Sequence, residues 1–335
     1  MIYETNQTKL VILGNGFDLC HNLRTNYADF RKWIISTYEI CEEALETEIT
    51  YLSEITQDKH GSFVIDASVA AKILIRLIDI SSESEWNDFE ESLGRINFSE
   101  LFEEVYVPTD KEGDPEYSYY SDSLHQEAEP LLNLMPYIII LFHEWIQDIE
   151  LNFTQRQSFF EPKTLSFLTQ LKDEKTIFIT FNYTSVLEQL YGIDSKKILQ
   201  LHGKACNQKF NYEKLIVGHG NHQITDPENL VFGEYEFFLS STFEAISKSL
   251  MKNTKQSNSN LVQFLDNPYF TDIIFFGFSF NSVDEIYIKT ILSHTNASTT
   301  ILINDFHFDE NRKLSLLNKF NLLGFKGRIF IQKLT

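Results

Sequence analysis

The sequence predicts an α/β protein built on a mostly parallel sheet with helices on both faces. Three observations carry this. Short, continuously apolar, β-rich runs recur at 9–14, 175–182, 197–203, 214–220, 272–279, 298–305 and 328–334. Segments of helical spacing lie between several of them. Strands that stay apolar along their whole length belong to sheets covered on both sides. The first run is separated from the others by a long, mostly helical stretch.

Taken in order, residues 9–14 read as a strand. Residues 25–38 read as a helix, with Thr25 as N-cap and Tyr27, Phe30, Ile34 and Tyr38 at helical spacing. Residues 39–105 read as mostly helical, with polar interruptions at "TQDKHGS" and "SSESE". Residues 107–122 carry two prolines, a glycine and several acids, the composition of a loop. Residues 123–172 return to helix, with Pro130, Pro136 and Pro162 marking starts or kinks. The remaining strands then alternate with helices at "SVLEQLY", 235–250, "VDEIYIKTIL" and 309–322, and "TKQSNSN" (254–260) reads as a polar loop. The organisation expected is a Rossmann-like domain. Residues 1–38 give its first strand and helix, 39–172 a helical insertion, and 173–335 the remainder.

Composition narrows the function. The chain has 335 residues, 43% hydrophobic and 23% charged, a globular composition. "LMPYIIILFHEWI" is the most apolar stretch, but it is shorter than the about 18 residues of a membrane span and holds His143 and Glu144. The first ten residues have neither the basic nor the apolar region of a signal peptide. Cys20, Cys41 and Cys206 form no C-x-x-C pair, which fits a reducing compartment. A cytoplasmic protein is expected. The net charge of −20 disfavours nucleic acid and means that any phosphate ligand needs a preorganised local site.

In open α/β sheets, ligands bind beyond the carboxyl ends of the strands, and here those ends are polar. The first ends in Gly14-Asn15-Gly16, followed by Asp18. This is either a turn that needs glycine or a phosphate cradle. It lacks the third glycine of the dinucleotide fingerprint. A carboxylate such as Asp18 suits a ligand hydroxyl better than a phosphate. The next strands end in Asn182, in His202-Gly203 and in Gly218-His219-Gly220. Asn182 and His202 end two strands separated by one crossover helix, so the two ends face one crevice. An amide there can position water or a sugar hydroxyl, and an imidazole can take its proton near neutral pH. Asn182 is equally suited to cap the following helix. His219 and His222 with His202 have no metal-ligand spacing, and no metal is expected.

Gly277-Phe278-Ser279 ends another run. Gly277 permits close backbone approach, and Ser279 can donate to phosphate or ribose. Asp284 follows, either as a site residue or as a charge complementing a helix dipole. In "WNDFEESLG", Trp86, Phe89 and Leu93 share one helical face and read as core, with Glu90 and Glu91 merely adjacent.

"ILGNGFDL", "WNDFE", "FITFNYT", "LHG" and "FFGFSFNSVDE", in this order, resemble the AbiH abortive-infection family of phage-defence proteins over nearly the whole chain. The order Gly-x-Gly, Thr-x-Asn, His-Gly, Gly-x-Ser, Ile-Asn is also similar to sirtuin-like NAD-binding domains. That resemblance implies a catalytic pair, Asn182 and His202, and a phosphate loop at Gly14, Asn15 and Gly16 with Asp18 beside it. It implies a second nucleotide-contacting loop at Gly277 and Ser279, with Asn304 near the far ribose or adenine. Arg31, in "ADFRKW", resembles a ligand residue that follows the glycine loop in these domains. The four-cysteine zinc module of the deacetylases is absent, and Phe181 stands where they carry glutamine, so deacetylation is not expected.

The function these readings imply is cleavage of the nicotinamide–ribose bond of NAD, with NAD as substrate or ligand. Two alternatives stay open. One is a nucleotide-binding sensor without turnover, whose helical insertion meets a phage component or partner protein. The other is a nuclease or phosphotransfer effector using His202, His219 and Asp284. A homo-oligomer is compatible with all of them.

Overall fold

The computed structural model describes residues 8–42, 55–61, 63–81, 89–96, 109, 111–113, 128–156, 175–205, 215–220, 243–265, 270–305 and 308–333. The chain divides into two compact units. One comprises Met1–Asn26, Ile146–Ile216 and Asn253–Thr335, and the other Tyr27–Trp145 and Val217–Lys252.

The first unit holds a six-stranded sheet, and the second a two-stranded pair of β2 (Thr56–Gln57) and β3 (Phe63–Val64). The sheet strands are β1 (Lys9–Leu13), β4 (Thr176–Thr180), β5 (Ile198–Gln200), β6 (Asp272–Phe276), β7 (Thr300–Asp305) and β8 (Arg328–Lys333). Their order is β5-β4-β1-β6-β7-β8, and every pair is parallel. Counted along the chain, this is third, second, first, fourth, fifth, sixth, the doubly wound Rossmann order. The order reverses between β1 and β6, and the crevice of such a sheet lies at their carboxyl ends.

The residues explain the sheet. Leu10, Val11, Ile12 and Leu13 of β1 are all fully buried, as a central strand covered on both faces requires. With Ile179, Ile273, Phe275, Ile301 and Ile303 they belong to the core of this unit. Each such side chain contributes about 1.5–3 kcal/mol on burial. At the edge, β8 alternates: Ile329 and Ile331 pack inward while Phe330 is exposed. The helices Val186–Tyr191, Glu285–Leu292 and Glu310–Leu322 connect the strands. Asp309 caps the last of these, accepting the Arg312 N–H at 2.7 Å.

Two expectations are corrected. "TKQSNSN" is not a loop but the start of the helix Thr254–Phe264. Ser257 and Leu261 are its buried face, and Ser257 Oγ lies 2.7 Å from the Tyr287 hydroxyl. The apolar run 214–220 adds no strand to the sheet. Its ladder contact among the described residues is an isolated bridge from His219 to Met251 in the second unit. Gly218, at φ +131°, approaches so closely that a Cβ there would lie 2.5 Å from the Leu250 carbonyl oxygen. A regular strand cannot hold that backbone.

In the second unit the described helices include Tyr27–Thr37, Ala67–Ser81 and Phe89–Leu93, with Met135–Arg156 contributing its first part. Phe30 sits among Phe89, Phe142 and Trp145 at centroid distances of 5.6, 5.3 and 4.8 Å. Within the interruption "TQDKHGS", Thr56–Gln57 is β2, so this polar break in the mostly helical stretch belongs to the β2–β3 pair. Trp86, His222, Pro162 and most of 107–122 lie outside the described residues. Among the described residues no helix is long and apolar enough to cross a membrane.

Candidate functional site

The loops after β1 and β6 close against each other at the switch point. The N–H groups of Gly14 and Gly16 donate to the carbonyls of Phe276 and Gly277 at 3.1 and 2.9 Å, and that of Phe17 donates to Gly14 at 2.9 Å. A Cβ on Gly14 would lie 2.6 Å from the Gly277 oxygen. One on Gly277, which sits at φ +59°, would lie 2.6 Å from the Gly16 backbone. Only glycine permits this backbone-to-backbone approach. The glycines therefore have a close-packing role, with these three N–H groups spent on protein carbonyls. Asn15 is exposed, and its Nδ2 donates to the Thr25 carbonyl at 2.8 Å.

Asp18, on the helix Asn15–Cys20, is 1% exposed. Its Oδ1 accepts from Asn182 Nδ2 at 2.9 Å and its Oδ2 from the Thr184 hydroxyl at 2.7 Å. Asn182 Nδ2 also donates to the Gly14 carbonyl at 3.1 Å. So the sequence-predicted Asn182 and Asp18 meet. Asn182 uses its amide here, not as a cap on the helix Val186–Tyr191. Burial pushes the Asp18 carboxyl up to about 7. The bonds from Thr184 and Asn182 oppose this, and the charge of Glu150 adds to it. Glu150, on the helix Met135–Arg156, accepts from the Ser185 N–H and hydroxyl, both at 2.5 Å. Thr184, Ser185 and Glu150 were not picked out from the sequence. The polar run "NYTS" after β4 was the available signal for the first two.

His202 ends β5 as Asn182 ends β4. Each lies two residues beyond the register pair Thr180–Gln200, on adjacent parallel strands. His202 is 3% exposed, and its Nε2 lies 3.3 Å from Asp284 Oδ1. The rings of Phe181, Tyr287 and Tyr183 surround it at 5.1, 5.8 and 5.9 Å. Asp284 sits in the 3-10 turn Ser282–Asp284 and is the N-cap residue of the helix Glu285–Leu292, yet its side chain makes no cap hydrogen bond. Its carboxylate faces the imidazole. An imidazole facing a carboxylate is the arrangement of a general base and its partner.

Ser279 is exposed, and its carbonyl accepts from Arg312 at 3.3 Å. Phe280, at φ +63°, gives its carbonyl to Lys319 Nζ at 2.6 Å. Asn304 is buried. Its Oδ1 accepts from Gln332 at 2.6 Å and its carbonyl from the Gly277 N–H at 3.2 Å. Arg31 lies in the second unit, where it pairs with Asp79 and Glu42, each at 2.8 Å. His219 also lies there, with Nε2 2.8 Å from the Ser247 carbonyl. Among the described residues no three His, Cys, Asp or Glu side chains gather as a metal site. Glu90 belongs to that unit too. It is not a bystander on a core helix but is buried against Lys252, 3.1 Å away.

The fold and rim define a doubly wound α/β protein with an amide–carboxylate cluster and an imidazole–carboxylate pair at the carboxyl ends of its strands. The chain belongs to the AbiH family: the family model described as bacteriophage abortive infection AbiH matches residues 10–305. That membership makes it a bacteriophage abortive-infection protein. No curated protein and no solved structure matched the chain.

Proposed function

We propose that this AbiH protein acts in abortive infection by hydrolysing the nicotinamide–ribose bond of NAD. The observation that carries the reading is the placement of Asn182 and His202 at matched positions on adjacent strand ends beside the switch point, with Asp284 at the imidazole. The order of these motifs, similar to sirtuin-like domains, supports NAD as substrate.

The chemistry asks little of the protein beyond positioning. Nicotinamide leaves as a neutral molecule, taking the electron pair of the glycosidic bond, so no general acid is required. The ribose passes through an oxocarbenium ion, and water attacks C1′. Asn182 orients that water or the ribose hydroxyls. His202 takes the proton the water loses, and Asp284 stabilises the resulting imidazolium. Ser279, on the exposed turn after Gly277, and Asn304 serve the rest of the nucleotide.

A second reading, a nucleotide sensor without turnover, is favoured by the burial of Asn182 and His202, at 5% and 3% exposure. Catalysis requires the rim to open. Incubating the purified protein with NAD, with and without magnesium, and following nicotinamide by chromatography tests both. Release that disappears in His202→Ala and Asn182→Ala is the expected result. Binding without release supports the sensor. Neither binding nor release overturns the nucleotide reading, and magnesium-dependent cutting of RNA or DNA would point to the nuclease.

A further inference from the structure

The Asn182 amide is fixed by groups that decide what it can recognise. Its nitrogen carries two protons, and two acceptors take them: the Gly14 carbonyl at 3.1 Å and Asp18 Oδ1 at 2.9 Å. The amide cannot be reversed, because a carbonyl oxygen has no proton to offer Oδ1. Thr184, donating to the other Asp18 oxygen at 2.7 Å, holds the carboxyl in place. Protonation of Asp18 leaves this intact. The Thr184 hydroxyl can turn from donor to acceptor, and Oδ1 still receives the amide proton. With both donors used, the hydrogen-bonding capacity left on the side chain is the acceptor Oδ1. The N–H groups of Gly14, Gly16 and Phe17 are committed to carbonyls as well, so this part of the rim offers an incoming ligand few donors.

We infer that Asp18 is a positioning residue that makes Asn182 a pure acceptor, so that this point of the rim selects a ligand hydroxyl or water and not a phosphate or carbonyl oxygen. For the substrate class this means the ribose end lies at Asn182 and the pyrophosphate lies away from the glycine turn. The ligand assignment rests on the NAD reading, whereas the clasp itself does not.

The test compares the native chain with Asp18→Ala, which removes the acceptor, and Asp18→Asn, which keeps an oxygen for the Asn182 amide. Calorimetry uses NAD and its analogue lacking both hydroxyls on the nicotinamide ribose. The native chain and Asp18→Asn should prefer NAD by about tenfold, the worth of one hydrogen bond. Asp18→Ala frees one amide proton and should weaken that preference. Equal affinity of the native chain for the two ligands, or an undiminished preference in Asp18→Ala, overturns the inference. Side-chain amide exchange by NMR, with the signal assigned by its loss in Asn182→Asp, provides a ligand-free readout. Both protons should be protected in the native chain and in Asp18→Asn, whereas in Asp18→Ala the proton facing position 18 should exchange freely and the one on the Gly14 carbonyl should stay protected. Free exchange in the native chain overturns the clasp. Protection without any NAD binding overturns the NAD reading and leaves the clasp standing.

Discussion

The imidazole of His202 and the carboxylate of Asp284 face each other, with Nε2 3.3 Å from Oδ1. The two residues reach that distance from opposite sides of β4 and β1, since His202 follows β5 and Asp284 follows β6. Phe181 packs against the imidazole at a centroid distance of 5.1 Å and against Phe278 at 4.6 Å.

Asp284→Asn should therefore act on rate more than on affinity. Its amide keeps the size of the carboxylate but withdraws the charge that steadies an imidazolium. The expected loss in nicotinamide release is about 10- to 100-fold in kcat with KM little changed. An unchanged kcat would assign the pair to structure alone.

Gly277→Ala should destabilise the chain by about 2 kcal/mol or more, through left-handed backbone and overlap together. The overlap is with the Gly16 backbone at 2.6 Å, not with a side chain that can move. Gly14→Ala, whose Cβ would meet the Gly277 oxygen at the same distance, should cost a similar amount. Denaturant midpoints of the two variants check this. A midpoint equal to the native one would mean that the loops are apart in solution.

Much of the sheet was legible because parallel strands buried on both faces are continuously apolar, as in "KLVIL" and "DIIFF". Asn182, His202 and Gly277 just past strands, and Asn304 near the end of β7, could be placed on the rim for the same reason. What could not be read was the partner of each. Asp18 and Asn182, or His202 and Asp284, become neighbours only through the strand order, and local pattern carries no strand order. "TKQSNSN" misled because its helix buries one narrow face, so composition outweighed periodicity. "KLIVGHG" misled because apolar sequence is shared by sheet strands and by segments buried elsewhere. The ion pair of Glu90 could not be read because its partner, Lys252, is distant in sequence and lies in a stretch with no motif.

Phe280 holds a bulky side chain at φ +63°, a backbone region that costs such a residue about 1–2 kcal/mol. Packing against Phe275, Phe278 and Phe320, at 5.0, 4.9 and 5.6 Å, opposes that strain. Phe280→Ala should cost about 3–5 kcal/mol for the lost packing. Phe280→Gly should cost about 1 kcal/mol less than the alanine variant, the reverse of the usual order, because glycine removes the strain. Alanine proving the more stable of the two would contradict the strained backbone.

The buried pair of Glu90 and Lys252 predicts strong coupling within the second unit. Their side chains are 10% and 0% exposed. Removing one partner leaves an uncompensated charge, so Glu90→Leu and Lys252→Met should each cost about 3–5 kcal/mol. The double variant removes both charges and should cost less than the sum of the singles by about 2 kcal/mol or more. A double-mutant cycle in denaturant measures this directly, and additivity would show that the pair does not interact.

Asp18 gives the chain a pH dependence of definite sign. Its carboxyl is raised from 3.8 to about 7 by burial. Between those values the folded chain keeps a proton that the unfolded chain has released. The stability contributed by this group is therefore complete below about pH 4, falls as pH rises, and is gone above about pH 7. A shift of this size corresponds to on the order of 4 kcal/mol. Asp18→Asn mimics the protonated form. The variant should match the native chain near pH 4 and exceed it in stability by up to that amount at pH 8. Glu150 also faces Asp18, and His21, whose proton affinity burial lowers, contributes with the opposite sign. Both are present in native chain and variant, so the difference between the two isolates Asp18. Parallel stability curves across this range would show that the carboxyl ionises at its ordinary value.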